Sequence, residues 1–246
     1  MKYILSLILF FTNLNLIPSQ NSVITGKIKD YSSGEAEIIL PVRDPIALGS
    51  ITKKGKFTID LNESVIEAIH KDNDKLRAER GDKAVRNTTV KRAFYCDTED
   101  VITSNGEEII ESFTIQGNVL AGIIKDKKPI GKLRLSSSKA FGDSYFSYGK
   151  KDFETGYYID FYYVNNEASV NGICKTKTYT LDMKNTFNLT HNYNINLKKG
   201  WNIVKIEVEE VYTDQEGHVR PLKYRMSTID KLPKDVNYIF TPGEKL

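Results

Sequence analysis

The chain has 246 residues, a formal net charge of +3 and 40% hydrophobic residues. This length fits one large domain or two small ones, and the charge gives none of the basic footprint that nucleic-acid binding needs. Two cysteines make no disulfide framework, and three scattered histidines make a weak case for zinc.

Taken in chain order, the first segment reads as a secretory signal. Lys2 precedes an apolar run from Tyr3 to Phe11, far shorter than the roughly 20 apolar residues of a membrane span. Ile17-Pro18-Ser19 then offers a cleavage point, so residues 1–19 are expected to leave and the protein to be secreted or periplasmic. No membrane span is expected after signal removal. In an oxidising compartment Cys96 and Cys174 are expected to form one disulfide bond.

Beyond the signal the pattern is that of β-strands. Val23 to Lys29 alternates, and Glu35 to Leu40 places Ala36, Ile38 and Leu40 on one face. Ala47 to Thr52 is a third strand, turned back by Lys53-Lys54-Gly55 into Phe57, Ile59 and Leu61. These residues, "VITGKIKD … AEIIL … GSITKKGKFTIDL", resemble the carboxypeptidase regulatory-like, transthyretin-like β-sandwich domain over about Ser22 to Leu61. Lys53 stands where many members have an acidic residue. The resemblance implies an accessory, structural or binding module and brings no catalytic residue.

From Ser64 to Arg80 the period becomes helical, with Ser64 and Glu67 spaced as a capping box, Val65, Ile69 and Leu76 on one stripe, and Gly81 as the stop. Strands are expected again at Thr89 to Tyr95, Ile109 to Ile115, Val119 to Ile124, Ile130 to Leu135, Ser144 to Tyr148 and Gly156 to Val164. Phe187, Leu189, His191, Tyr193, Ile195 and Leu197 alternate with Asn188, Thr190, Asn192, Asn194 and Asn196, the mark of a strand with one packed and one wet face. "LKKGW" turns it into a strand carrying Val204, Ile206 and Val208. Asp214 to Gly217 is another hairpin. Pro221 marks the strand from Val219 to Ile229 as an edge, and Tyr238, Ile239 and Phe240 are expected to dock the tail. The fold class is therefore mainly β, an antiparallel sandwich with one amphipathic helix near residues 64–80. The resemblance implies a transthyretin-like part over residues 20–128, with a second antiparallel part over residues 129–246; one continuous large sandwich is the alternative.

Candidate chemistry is sparse. No Gly-x-Ser-x-Gly motif, phosphate loop or dinucleotide fingerprint occurs, and His70, His191 and His218 lie in no nucleophile motif. Asp97, Glu99 and Asp100 read as a solvated acidic turn without calcium-loop spacing. No cofactor or metal is expected. A speculative ligand surface combines Trp201, Tyr158, Tyr162, Asn192 and Asn194, aromatic platforms beside amide groups that would suit a glycan. The expected function is a non-catalytic envelope module that binds glycan, peptide or an envelope protein. The alternative is a secreted hydrolase whose site is built from carboxylates such as Asp160, Glu207 and Glu209 with a histidine.

Overall fold

The computed structural model describes residues 22–85, 87–98, 100–112, 121–147, 149–180 and 183–243. Residues 1–19, expected from the sequence to be a secretory signal, lie outside the described residues. The protein is mainly β, with 14 strands joined by hydrogen bonds into one sheet. The strands are β1 (Ser22–Lys27), β2 (Ala36–Leu40), β3 (Ile46–Ile51), β4 (Lys56–Leu61), β5 (Val101–Ser104), β6 (Ile110–Ser112), β7 (Ala121–Lys125) and β8 (Lys128–Ser136). They continue with β9 (Gly156–Val164), β10 (Ala168–Tyr179), β11 (Thr186–Leu197), β12 (Gly200–Thr213), β13 (Val219–Ile229) and β14 (Asn237–Pro242). The helices are α1 (Glu63–Arg80), α2 (Val90–Ala93) and α3 (Lys139–Tyr145).

The pairing order runs β1-β4-β3-β2-β7-β8 and then, through a single contact between Ser136 and Tyr158, into β9-β12-β13-β11-β10-β5. β14 pairs along β8, and its side chains reach back to the start of the chain. The Tyr238 hydroxyl donates to the Thr25 carbonyl at 3.4 Å, and its ring packs edge-on to Phe57 at 4.9 Å. A Cβ on Gly26 would lie 2.6 Å from that ring, so glycine is the residue that lets Tyr238 seat against β1. The first half of the sheet therefore bends until its two ends meet over a core containing Ile38, Leu40, Ile59, Leu61, Ile123 and Leu133. The boundary expected at residue 128 falls at the first residue of β8, with β7 paired on one side and β14 on the other.

The second half curls for a different reason. β9 ends at Val164 and β10 begins at Ala168, yet β12, β13 and β11 lie between them in the pairing order. So short a connection requires the outer strands to approach, and a clasp holds them. The Glu108 carboxylate accepts from the backbone N–H groups of Asn165 and Asn166 and from the Asn166 amide, at 2.9 to 3.0 Å. Asn105 donates to the Glu167 carbonyl at 3.0 Å. Inside the curl lies a second core of Val164, Val170, Tyr193, Ile195, Val204 and Ile206, closed by Val90, Phe94 and Ile110.

Local sequence explains most elements. The β3–β4 turn puts Gly55 at φ 77°, with the Gly55 N–H bonded to the Thr52 carbonyl. The turn between β11 and β12 is pinned by Asn202, whose amide accepts from the Lys198 N–H and donates to the Lys198 and Gly200 carbonyls. Helix α1 starts two residues earlier than the sequence pattern predicts. Asn62 is its cap, accepting from the Ser64 N–H at 3.0 Å, so Ser64 does not cap it. Val65, Ile66 and Ile69 bury against the first core. Among the described residues no helix is long and apolar enough to cross a membrane.

Four expectations need correction. The segments expected as strands at 89–95 and 144–148 hold instead α2 and the last two residues of α3, with Tyr148 outside the described residues. In each, two large side chains four residues apart, Val90 and Phe94 or Phe141 and Tyr145, turn to the same side as a helix requires. The strand expected at 109–115 is described only as β6, and residues 113–120 lie outside the described residues. β13 is central, between β12 and a parallel β11, so the sheet is not wholly antiparallel. Pro221 is tolerated there because β11 pairs with β13 only from Lys223 onward.

Cys96 and Cys174 are bonded, as expected, across 78 residues. Cys174 is buried on the inner side of β10, so the bridge ties the chain after α2 onto the second core. Removing it as Cys96→Ala/Cys174→Ala is expected to cost about 4.5 kcal/mol on the chain-entropy account, a melting-temperature fall of roughly 10 °C. Thermal melts of the two proteins check this, and a fall of under about 2 °C would contradict it.

Candidate functional site

The outward face of the curled half-sheet is built by simple alternation. On β10, Ala168, Val170 and Cys174 bury inward, which turns Ser169, Asn171 and Ile173 outward. On β11, Tyr193, Ile195 and Leu197 bury inward and Asn192, Asn194 and Asn196 stand out. Register then aligns these residues into rows across strands. Ile102 of β5 lies opposite Asn171, which lies opposite Asn194, which lies opposite Ser227 of β13. One step along, Ile173 lies opposite Asn192, and Asn192 opposite Arg225. Directly opposed residues share a face, so each row is a continuous strip of surface.

The amides are partly ordered by one another. Asn171 donates to the Asn196 side-chain oxygen at 3.4 Å, and Asn196 donates to that of Asn194 at 3.2 Å. The charges bordering the strip on β12 and β13 are matched. Arg225 meets Glu209 at 2.5 Å, Lys223 meets Glu209 and Glu210 at 3.4 and 3.3 Å, and Lys205 meets Glu207 at 2.9 Å. Ile102 is 75% exposed and Ile173 48%, high values for large aliphatic side chains.

The five residues expected to form a ligand surface do not come together. Asn192 and Asn194 are on this open face. Trp201 belongs to the same face of β12 but is buried there, 5.4 Å from Tyr163 by ring centroids, beneath the first core. Tyr158 and Tyr162 point to the opposite side, into the second core. Burial pushes both of their hydroxyls well above the ordinary tyrosine range. The sequence reading missed Ile102, Asn171, Ile173 and Ser227. The alternation of Ser169, Asn171 and Ile173 with Ala168, Val170 and Cys174 is visible in the chain, but Ile173 falls on the polar phase and blurs it.

The residues considered for hydrolysis are also dispersed. His70 faces Glu111 at 3.5 Å, His218 faces Asp152 at 3.8 Å, and His191 stacks in parallel on Tyr224 at 5.0 Å. Asp160 is buried on the inner side, accepting from the Phe161 N–H at 2.8 Å, from Ser112 at 3.4 Å and from the Tyr162 hydroxyl. Glu207 and Glu209 are on the outer side in the ion pairs already described. A cleft of about 630 Å³ runs along the ends of β2, β3 and β7, and one of about 370 Å³ lies beside Cys96. No histidine lines either of them. In the acidic turn, Asp97 lies close to the two sulfurs, which are spent on each other, and Glu99 is outside the described residues.

Compared with protein-family models, with curated proteins and with solved structures, the chain has no match.

Burial holds the His191 imidazole below its usual pKa, so the folded protein favours its neutral form. The unfolded chain binds that proton more readily, and stability should fall as the pH drops below about 6.5. His191→Phe, which keeps a flat ring against Tyr224, is expected to flatten the decline. Melts at about pH 7.5 and about pH 5.5 check this, and equal declines in both proteins would contradict it.

Proposed function

We propose that the protein is an exported, non-catalytic module of the cell envelope that holds its partner on the outward face of β10, β11 and β13. The observation that carries this reading is the open strip itself. It joins exposed Ile102 and Ile173 to a row of amides, whereas the histidines and carboxylates needed for hydrolysis are each committed elsewhere. The short apolar leader and the disulfide support export. The resemblance of Ser22 to Leu61 to a carboxypeptidase regulatory-like domain supports an accessory role beside other envelope components.

A bulky charge placed on the strip tests the reading. Ile102→Arg/Asn194→Arg alters only exposed positions, so its melting temperature is expected to stay within about 2 °C of the parent. Immobilised protein is then offered purified envelope polysaccharide and solubilised envelope protein. At least a tenfold loss of retention by the double variant is expected for the true partner class. Equal retention by parent and variant would contradict the reading.

A further inference from the structure

We infer that the ligand of this face is an uncharged polysaccharide lying across the strands, an inference that rests on the binding face just proposed. Three features of the strip point to that chemistry. Its two central rows offer amide, hydroxyl and aliphatic groups, and the one charged side chain in them, Arg225, is already held by Glu209 at 2.5 Å. A polyanion would gain from that guanidinium only by displacing its carboxylate partner. Sugar hydroxyls need no such exchange, because each can both donate and accept, as an asparagine amide does. Asn192 is paired through its backbone to β10 and β13, and its side-chain amide makes no hydrogen bond to a described residue, so that amide is available.

The second feature is spacing. Neighbouring strands lie about 4.8 Å apart, comparable to one sugar of an extended chain. A glycan running from Ile102 over Asn171 and Asn194 to Ser227 would therefore meet an apolar side chain on β5 and then a polar group at each of the next three strands. The third is amphipathic character. Ile102 and Ile173 flank Asn171 and give the C–H face of a pyranose an apolar seat beside the hydrogen-bonding groups. A protein partner is less well matched, since protein interfaces are built around larger apolar and aromatic cores than two isoleucines supply. Lys175 and Lys177 are exposed further along β10 toward the hairpin tip, beyond these rows. They are the groups an acidic glycan would use, and they define the contrasting arm of the test.

The experiment is calorimetric titration of the disulfide-bonded protein with neutral gluco- and manno-hexasaccharides and with a hexagalacturonate, at low and high salt. Neutral hexasaccharide binding that is unchanged by salt and at least tenfold weaker in Asn171→Ala, Asn194→Ala and Ile102→Ser is expected. Hexagalacturonate binding that salt abolishes, with no neutral binding, overturns the uncharged ligand. If Lys175→Ala/Lys177→Ala abolishes that binding, the face itself stands. Absence of binding to every saccharide likewise overturns the glycan inference and leaves the face to the retention test with envelope protein. Neutral binding undiminished in all three single variants overturns both the ligand's placement and the face.

Discussion

The residues of β9 alternate, yet neither of its faces meets water. Tyr157, Ile159, Phe161 and Tyr163 enter the first core, while Tyr158, Tyr162 and Val164 enter the second. A strand shared in this way cannot slip by one residue without moving both sets of side chains to the wrong core. Its single charged residue, Asp160, is kept in the interior by the Phe161 N–H, Ser112 and the Tyr162 hydroxyl. A buried carboxylate without such donors would be strongly destabilising.

Much of the remaining architecture follows from covering those two faces. The first half of the sheet, closed by β14 and lined by α1, covers one face of β9 and extends over Trp201 and Ile203 of β12. The second half curls over the other face and is held by the Glu108 clasp and the disulfide. On β13 the first core reaches only Ile229, and the outward side of β10, of β11 and of β13 up to Ser227 is left uncovered by it. It stays wet and carries the row of amides and the two exposed isoleucines. The face is a by-product of where one core ends, so its chemistry is set by residues that packing does not constrain.

This also explains what could be read from the chain. Strands with one buried face, such as β4 and β11, declare themselves by strict alternation, and β9 by its run of bulky residues. Asn192 and Asn194 were legible as wet positions for the same reason. Burial of Trp201 was legible only from its size, because alternation assigns it to the amide face and the first core that covers it is assembled from distant parts of the chain. Val90 with Phe94 and Phe141 with Tyr145 fit either period over so short a span, and tertiary packing decides for helix. β13 was misplaced because Pro221 signals an edge locally, whereas the strand becomes central two residues later.

By entering both cores, β9 makes them one cooperative unit. Trp201, the only tryptophan, reports the first core by fluorescence, while far-UV circular dichroism reports the whole sheet. Urea unfolding followed by both signals on the disulfide-bonded protein is the most direct measurement. The account predicts a single transition with coincident midpoints and slopes. A fluorescence transition separated from the loss of sheet signal would show two independently stable halves and contradict it.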